Sequence, residues 1–461
     1  MSMDALAKPS DAVRQRWFVV ALLILFAALS IQYSYKVAAH QSAIVRWLIQ
    51  IQNWDDSGED IFRQYNYPNP PIMALILSPL VHLPPLAAAL CWFYLKVGMT
   101  LAVFYWAFRL VQSPGTEFPP WAKALTVLLS LRMIMSDLNH GNVNLFILFL
   151  VTASLYAFQR RRDGIAGLVL ALAISCKVTP ALFVPYLIWK RAWKTLVACA
   201  AGLILFLLFV PSLKTGWDRN VNDLHSWVNA MIVPFVEEGK VTSEHQNQSL
   251  PGLVHRLATH SPSFSEYDRE DHYVPLQYDN ILDLQPGQAQ WIVRGFMGVF
   301  FLLVIWTCRT STAGRQGWRL AAEYSIVVLG MLLFSERTWK HHAVTLVLPF
   351  AVVCYCLATG GYGWRMRSFL IACLASASML IASTSTLAAK EGTTGLIHFW
   401  DQLGKSAQVY GAFVWSYLIL LTALFVLLRS KDRAALTGES RVANRCVVVD
   451  NPIRDADALS A

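Results

Sequence analysis

Long apolar stretches without a two-residue alternation dominate the chain. They include "WFVVALLILFAALSIQYSY" from Trp17, "TLVACAAGLILFLLFV" from Thr195, "WIVRGFMGVFFLLVIWTC" from Trp291 and "AFVWSYLILLTALFVLL" from Ala412. About 20 helical residues cross a bilayer core of about 30 Å, so runs of this kind predict spanning helices. A membrane barrel would show short alternating segments, and these runs do not alternate. The pattern predicts an all-α polytopic membrane protein. The first run is too long for a signal-peptide core and no small-residue cleavage site follows it, so it is expected to be a retained first span.

Composition agrees with the pattern. The 461 residues are 56% hydrophobic and 15% charged, with a mean hydropathy of +0.43. Soluble domains lie nearer 45–50% apolar and 25% charged. The net charge of +9 would suggest nucleic acid in a soluble protein. Here the basic residues fall in short clusters between apolar runs, "RQR", "QRRRDG", "KRAWK", "CRTSTAGRQGWR", "GWRMR" and "RSKDR". Such clusters stay on the cytoplasmic side, so the expected partner is the lipid bilayer and not nucleic acid. The expected topology is about ten crossings in the plasma (inner) membrane, with both termini cytoplasmic. It gives a cytoplasmic N-terminus at 1–16, a transmembrane domain at 17–429 and a polar, disordered tail at 430–461. Loops near 37–70 and 213–288, and shorter ones near 137–144, 335–342 and 389–408, then face outward. Nearly all of the eight cysteines lie in or beside apolar runs, Cys446 lies in the tail, and no disulfide framework or zinc spacing is visible.

Two segments do not fit as simple crossings, "PIMALILSPLVHLP" near 71–84 and "GIAGLVLALAISCKVTPALFVPYLIWK" near 164–189. The second carries Lys177 and Pro180 in its middle and basic residues at both ends, so both ends should lie inside with the apex outward. It is expected to be a hairpin of two half-helices with its apex at Lys177, the alternative being one helix kinked at the proline. Broken backbone survives in a membrane only where it lines a cavity or is buried in protein.

Lys96, Arg132, Asp137 and Lys177 lie in or at the edge of apolar runs. A charge at the bilayer centre costs about 2.5–3.5 kcal/mol, so such residues usually face a cavity and work. The plain alternatives are that Lys96 snorkels or pairs internally and that Arg132 and Asp137 neutralise each other. An ammonium at the apex of a broken hairpin suits a lipid phosphate, which singles out Lys177. The outward loops supply further groups. "NWDDSGEDIFRQYNYPNPP" offers Asp55, Asp56, Glu59 and Asp60 beside aromatic residues, and "SERTWKHH" brings together Glu336, Arg337, Lys340, His341 and His342. Carboxylates deprotonate attacking hydroxyls and cations stabilise departing phosphates. Adjacent histidines make a poor metal pair, so no metal or other cofactor is indicated, although a divalent ion is compatible with the pattern. The sequon at Asn247–Ser249 is a weak signal.

The segment "HGNVNLFILFLVTASLYAFQRRRDGIAGLVLALAISCKVTPALFVPYLIWKRAWKTL" resembles the signature region of glycosyltransferase family 87. The G-Q-V-N step of that family corresponds to Gly141-Asn142-Val143-Asn144, and its K-x-x-P step to Lys177 and Pro180. "DIFRQYNYPNPPIMALILSPLVHLP", "NQSL" with Arg256, and "SERTWKHHAVTLVLP" are similar to three further motifs in the same order, the last written S-P-x-S-W-x-H-H in the family. The resemblance covers about residues 58–350. It implies a C-type glycosyltransferase fold of about ten spanning helices plus two broken or re-entrant hairpins. It implies transfer of a sugar, mannose or another hexose, from a polyprenyl-phosphate sugar to a glycolipid or envelope glycan acceptor on the outer face. Lys177, Arg337, Lys340, His341 and His342 are then candidates for the donor phosphate. Asp137, Asn142, Asn144, Asn247, Gln248 and Arg256 are candidates for lining the substrate site.

One departure affects the base. C-type enzymes usually carry an acid early in the first outer loop, and "KVAAHQSAIVRWLIQIQ" contains no Asp or Glu. Asp55, Asp56 or Asp60 is left as the candidate base, with another base or lost activity as alternatives. Two rival functions fit some of the same features. A transporter or flippase predicts an internal two-fold repeat, which is not visible, and a non-catalytic envelope-assembly scaffold predicts no sugar transfer.

Overall fold

The computed structural model describes residues 11–39, 41–267, 273–385 and 395–430. The tail expected to be disordered, with Cys446, and the first ten residues lie outside the described residues. Almost every described element is a helix, with one two-stranded hairpin of Phe264–Tyr267 and Tyr273–Gln277.

Two helices form the buried axis. Trp318–Leu333 buries every side chain except Arg319, and Val347–Thr359 buries Val347 through Leu357. A helix apolar on all sides has no solvated face and is covered on all sides. Pro85–Val111, Ala412–Arg429, Pro120–His140 and Trp364–Ser383 pack around this axis. The peripheral helices carry exposed apolar side chains, Leu101 and Tyr105 on Pro85–Val111 and Phe301 and Leu302 on Pro286–Thr307. A continuous apolar rim of this kind is what lipid covers.

Among the described residues, six helices are long and apolar enough to cross a membrane: Pro85–Val111, Trp193–Thr215, Pro286–Thr307, Lys340–Thr359, Trp364–Ser383 and Ala412–Arg429. Other segments expected to cross are shorter or more polar. Asn144–Gln159 and Trp318–Leu333 have 16 residues each, and Pro120–His140 carries Lys123, Arg132 and Asp137.

Both irregular segments are broken helices. Pro71–Leu77 tightens into a 3₁₀ turn at Ser78–His82. Asp163–Cys176 stops at Lys177, whose backbone is extended (φ −160°, ψ 126°). A 3₁₀ turn at Thr179–Leu182 with Pro180 leads into Phe183–Trp189. The kinked continuous helix does not form, because proline removes a backbone donor and Lys177 adopts strand-like angles. The first half-helix packs along Trp193–Ile204 through small residues. A Cβ on Gly202 would come within 2.6 Å of the Ala171 Cβ, so this contact needs glycine.

The basic turns collect at one end of the bundle. Lys190 donates to the Thr310 carbonyl at 2.7 Å and pairs with buried Glu323 at 2.5 Å. Arg315 pairs with Asp163 at 2.6 Å. Arg319 donates to the Leu428 and Ser430 carbonyls, both at 2.9 Å, bringing the end of the last described helix to the same place.

The segments expected to be outward loops are largely ordered helix. In Ala43–Asp56, the buried Ala43, Trp47, Ile51 and Trp54 recur every three or four residues on one face. The segment near 213–288 contains an amphipathic helix, Trp217–Met231, a short helix, Leu250–Ala258, and the β-hairpin. Just before it, the helix from Trp193 widens into a π-turn at Leu205–Phe209. Such a turn frees carbonyls, and the buried Asn220 side chain caps Leu207 at 2.9 Å and Leu208 at 3.0 Å.

Candidate active site

The end of the bundle away from the basic turns opens into a cavity of about 940 Å³. The broken hairpin contributes Lys177, and the end of the buried helix Trp318–Leu333 contributes Gly330 and Met331. The following turn adds Glu336, Arg337, His341 and His342, and the outer helices roof the cavity with Arg46, Trp47 and Trp227. Lys177 and the paired histidines, far apart in sequence, therefore face one space. Part of the wall is apolar, with Leu182, Met331, Phe334 and Ile232. Among the described residues that line it, Arg46, Lys177, Lys240 and Arg337 face a single carboxylate, Glu336, so the cavity favours an anion.

A chain of buried polar groups holds Lys177. Lys96 and Asp137, both with fully buried side chains, form an ion pair at 3.0 Å. Lys96 Nζ also donates to the Asp137 carbonyl at 2.7 Å. The other Asp137 oxygen accepts from Asn144 Nδ2 at 3.1 Å, and Asn144 Oδ1 accepts from Lys177 Nζ at 2.6 Å. Asp137 and Asn144 are thus buried behind the cavity and aim the ammonium that lines it. Arg132 does not neutralise Asp137 and instead donates to Thr384 Oγ1 at 3.1 Å.

Gly141 makes the turn that starts this arrangement. It sits at φ +74°, and a Cβ there would lie 2.5 Å from Ser42 Oγ and 2.8 Å from the Tyr33 hydroxyl. The next residue, Asn142, accepts from the Val143 N–H through Oδ1 at 2.7 Å, which leaves its amide to donate to His341 Nε2 at 3.0 Å. A nitrogen that accepts carries no proton, so neutral His341 is protonated on Nδ1. His342 is the opposite tautomer. Its Nδ1 accepts the Trp339 N–H at 3.0 Å, which places the proton on Nε2. His140 stacks on His341 with ring centroids 4.5 Å apart.

The structure does not bring the other sequence candidates to this cavity. Asp55 pairs with Lys214 at 2.6 Å. Asp56 is exposed at the helix end. Asp60 caps the helix Ile61–Gln64 and accepts from Ser226 Oγ at 2.6 Å. Asp60 belongs to the seam that docks the outer helix Trp217–Met231, together with Trp54, whose Nε1 donates to Asp223 at 2.8 Å. Burial raises the Asp223 carboxyl above its ordinary range, and the Trp54 hydrogen bond and Arg219 oppose that shift. Lys340 is exposed and off the cavity wall.

Asn247, Gln248 and Arg256 are buried and serve the backbone. Asn247 donates to the Thr242 and Glu336 carbonyls at 2.7 and 2.9 Å, and its Oδ1 accepts from the Thr338 N–H at 2.9 Å. Gln248 donates to the Gln408 carbonyl at 2.7 Å. Arg256 donates to the carbonyls of Val409 at 2.8 Å, Ser243 at 2.9 Å and Glu244 at 2.8 Å. Burial lowers the Arg256 guanidinium to about 9. Hydrogen bonds from a charged group are worth about 1.5–3 kcal/mol each at best. Arg256→Met is accordingly expected to lower the unfolding midpoint and to raise hydrogen exchange across 242–260. An unchanged exchange pattern would show that Arg256 does not hold the loop.

The cavity residues that sequence reasoning missed are Arg46, Trp47, Trp227 and Lys240. The helical periodicity of "AIVRWLIQIQNW" could have found Trp47. Among the described residues, no group of three His, Cys, Asp or Glu side chains is placed to hold a metal ion.

The model described as Glycosyltransferase family 87 matches residues 67–336, more than half of the chain. The chain is similar to a polyprenol-phosphate-mannose-dependent alpha-(1-2)-phosphatidylinositol mannoside mannosyltransferase of Mycobacterium tuberculosis, 24% identical over 385 residues, which cover 80% of this chain and 78% of the relative. A protein of the same description from Mycolicibacterium smegmatis is 25% identical over 364 residues, covering 75% and 73%. A solved structure of ArnT from Cupriavidus metallidurans bound to undecaprenyl phosphate matches with a TM-score of 0.40 and 13% identity, over 88% of this chain and 77% of that one.

Proposed function

The chain belongs to glycosyltransferase family 87, and on that premise we propose that this membrane glycosyltransferase moves a hexose, with mannose as the first choice, from a polyprenyl-phosphate sugar to a glycolipid acceptor within the cavity. The observation that carries the reading is the convergence of Lys177, Arg337 and His342 beside an apolar wall. A polyprenyl phosphate has the same two parts, an anionic head and a hydrocarbon chain. The mycobacterial relatives are named for a polyprenol-phosphate-mannose donor, which supports the choice of donor and of mannose.

In this mechanism the donor slides in from the bilayer with its chain against Leu182, Met331 and Phe334. Lys177, the Arg337 guanidinium and the Nε2–H of His342 hold its phosphate and stabilise the charge that develops as the sugar–phosphate bond breaks. Trp47 and Trp227 offer faces on which a sugar can stack. A carboxylate takes the proton of the acceptor hydroxyl as that oxygen attacks the anomeric carbon. The basic turns at the opposite end of the bundle favour a cytoplasmic placement of that end and an extracytoplasmic cavity, with both termini cytoplasmic and the inner membrane as the location.

The test offers the purified full chain in lipid nanodiscs a panel of labelled polyprenyl-phosphate sugars with membrane lipid extract. A new labelled glycolipid, largest with the mannose donor, is the expected result. No product with any donor overturns the reading, and uptake into vesicles without product favours a transporter.

A further inference from the structure

We infer that Glu336 is the general base of the transfer, an assignment that rests on the transferase reading above. The sequence leaves the base open. The early first-loop acid is missing, and Asp55, Asp56 and Asp60 do not line the cavity. Among the described lining residues Glu336 is the one carboxylate. It occupies the place where the resembling turn motif has proline. The chain that lacks the usual acid thus carries an extra one inside the cavity.

The side chain is placed for the work. It is about one-third exposed (32%) toward the cavity, so an acceptor can reach it. Its Oε1 accepts from Thr242 Oγ1 at 3.0 Å and from Arg337 Nη2 at 3.5 Å, and the Thr242 hydroxyl accepts from the same Arg337 nitrogen at 2.7 Å. Its Oε2 has no hydrogen bond among the described residues, so one oxygen is oriented and the other is open. The backbone beneath it is fixed. The Glu336 carbonyl accepts from Asn247 Nδ2 at 2.9 Å, and Asn247 Oδ1 binds the Thr338 N–H at 2.9 Å. Asn247 is therefore a positioning residue for the turn that carries the base.

Of the other acid–base groups near the cavity, Asp137, Asp223 and the paired histidines are committed elsewhere, and His140 is stacked against His341. Asp137 is sealed behind Lys96 and Asn144. Asp223 is bound by Trp54. His341 Nε2 and His342 Nδ1 are occupied by the Asn142 amide and the Trp339 N–H, and the remaining nitrogen of each neutral ring carries a proton and cannot accept another. In the step, the acceptor hydroxyl gives its proton to Glu336 Oε2 and its oxygen bonds to the anomeric carbon. The bond from that carbon to the phosphate oxygen breaks, and its electron pair leaves on polyprenyl phosphate. The proton later passes from Glu336 to water.

The experiment uses the full chain in nanodiscs with the labelled polyprenyl-phosphate sugar that the parent accepts, lipid extract as acceptor, and unglycosylated polyprenyl phosphate as the binding probe. A positioned base contributes about 10²–10⁴-fold, so Glu336→Gln should lower turnover by at least about 100-fold while probe affinity stays within about threefold. Glu336→Asp should retain intermediate activity, and added formate should restore part of the turnover of Glu336→Ala. Rescue by formate would establish that a variant of low activity is folded. Turnover of Glu336→Gln within about threefold of the parent overturns the base assignment and leaves the transferase reading intact. A parent chain that transfers no sugar from any donor overturns both.

Discussion

Replacing Lys177 with methionine is expected to lower sugar transfer by about 10²–10³-fold, the cost of losing one preorganised donor to a developing anion. Methionine keeps most of the stem's volume, so the hairpin apex should still pack, and the change isolates the charge. Among the described residues Lys177 Nζ has one hydrogen-bond acceptor, Asn144 Oδ1 at 2.6 Å. Two of its three hydrogens thus remain to reach a phosphate. Both donor KM and turnover should suffer, because the leaving phosphate gains charge as its bond to the sugar breaks. Steady-state kinetics with varied polyprenyl-phosphate sugar measure the effect. A variant within about threefold of the parent in kcat/KM would remove Lys177 from the phosphate site.

The largest expected loss of stability comes from Asp137→Ala. It leaves Lys96 charged, fully buried and without its carboxylate. Removing one partner of a buried pair costs about 3–5 kcal/mol, mostly as the penalty on the group left behind. Thermal or denaturant unfolding in nanodiscs should show it, and a loss below about 1 kcal/mol would mean that Lys96 finds another partner or neutralises. The double variant Lys96→Met with Asp137→Leu removes both charges and should recover most of the stability. Transfer should not recover with it, because Asn144 has lost the Asp137 oxygen that orients it toward Lys177. That separation of fold from activity tests whether the pair acts through Lys177. Equal recovery of both would give the pair a purely structural role.

These two experiments concern residues that stand out in the sequence for one reason. Each is a charge in an apolar run, and such a charge is expensive enough to require a partner or a task. The sequence could not say which. Arg132 lies five residues from Asp137 and is its apparent neutraliser, yet the partner is Lys96, 41 residues away on another helix. Sequence proximity misleads here because a buried carboxylate pairs with whatever cation the helix packing delivers.

The sequence by itself determined the helical membrane architecture and the family, and it offered a break or a kink near Lys177, which the structure resolved as a break. Apolar runs longer than a soluble helix needs have only one favourable solvent, and a Lys-x-x-Pro step inside such a run either breaks or kinks the helix. Tertiary structure alone decided which polar groups meet. Asp55 and Asp60 looked like catalytic acids, but Asp55 pairs with Lys214 and Asp60 docks an outer helix, while Asn247, Gln248 and Arg256 went to holding backbone. Lys177, Arg337 and His342, with Glu336 as their acidic neighbour, came together in one cavity. The physical reason is range. Hydropathy and backbone preference act along a few turns of chain, whereas hydrogen bonds and ion pairs are settled by side chains from distant segments, after the helices have packed.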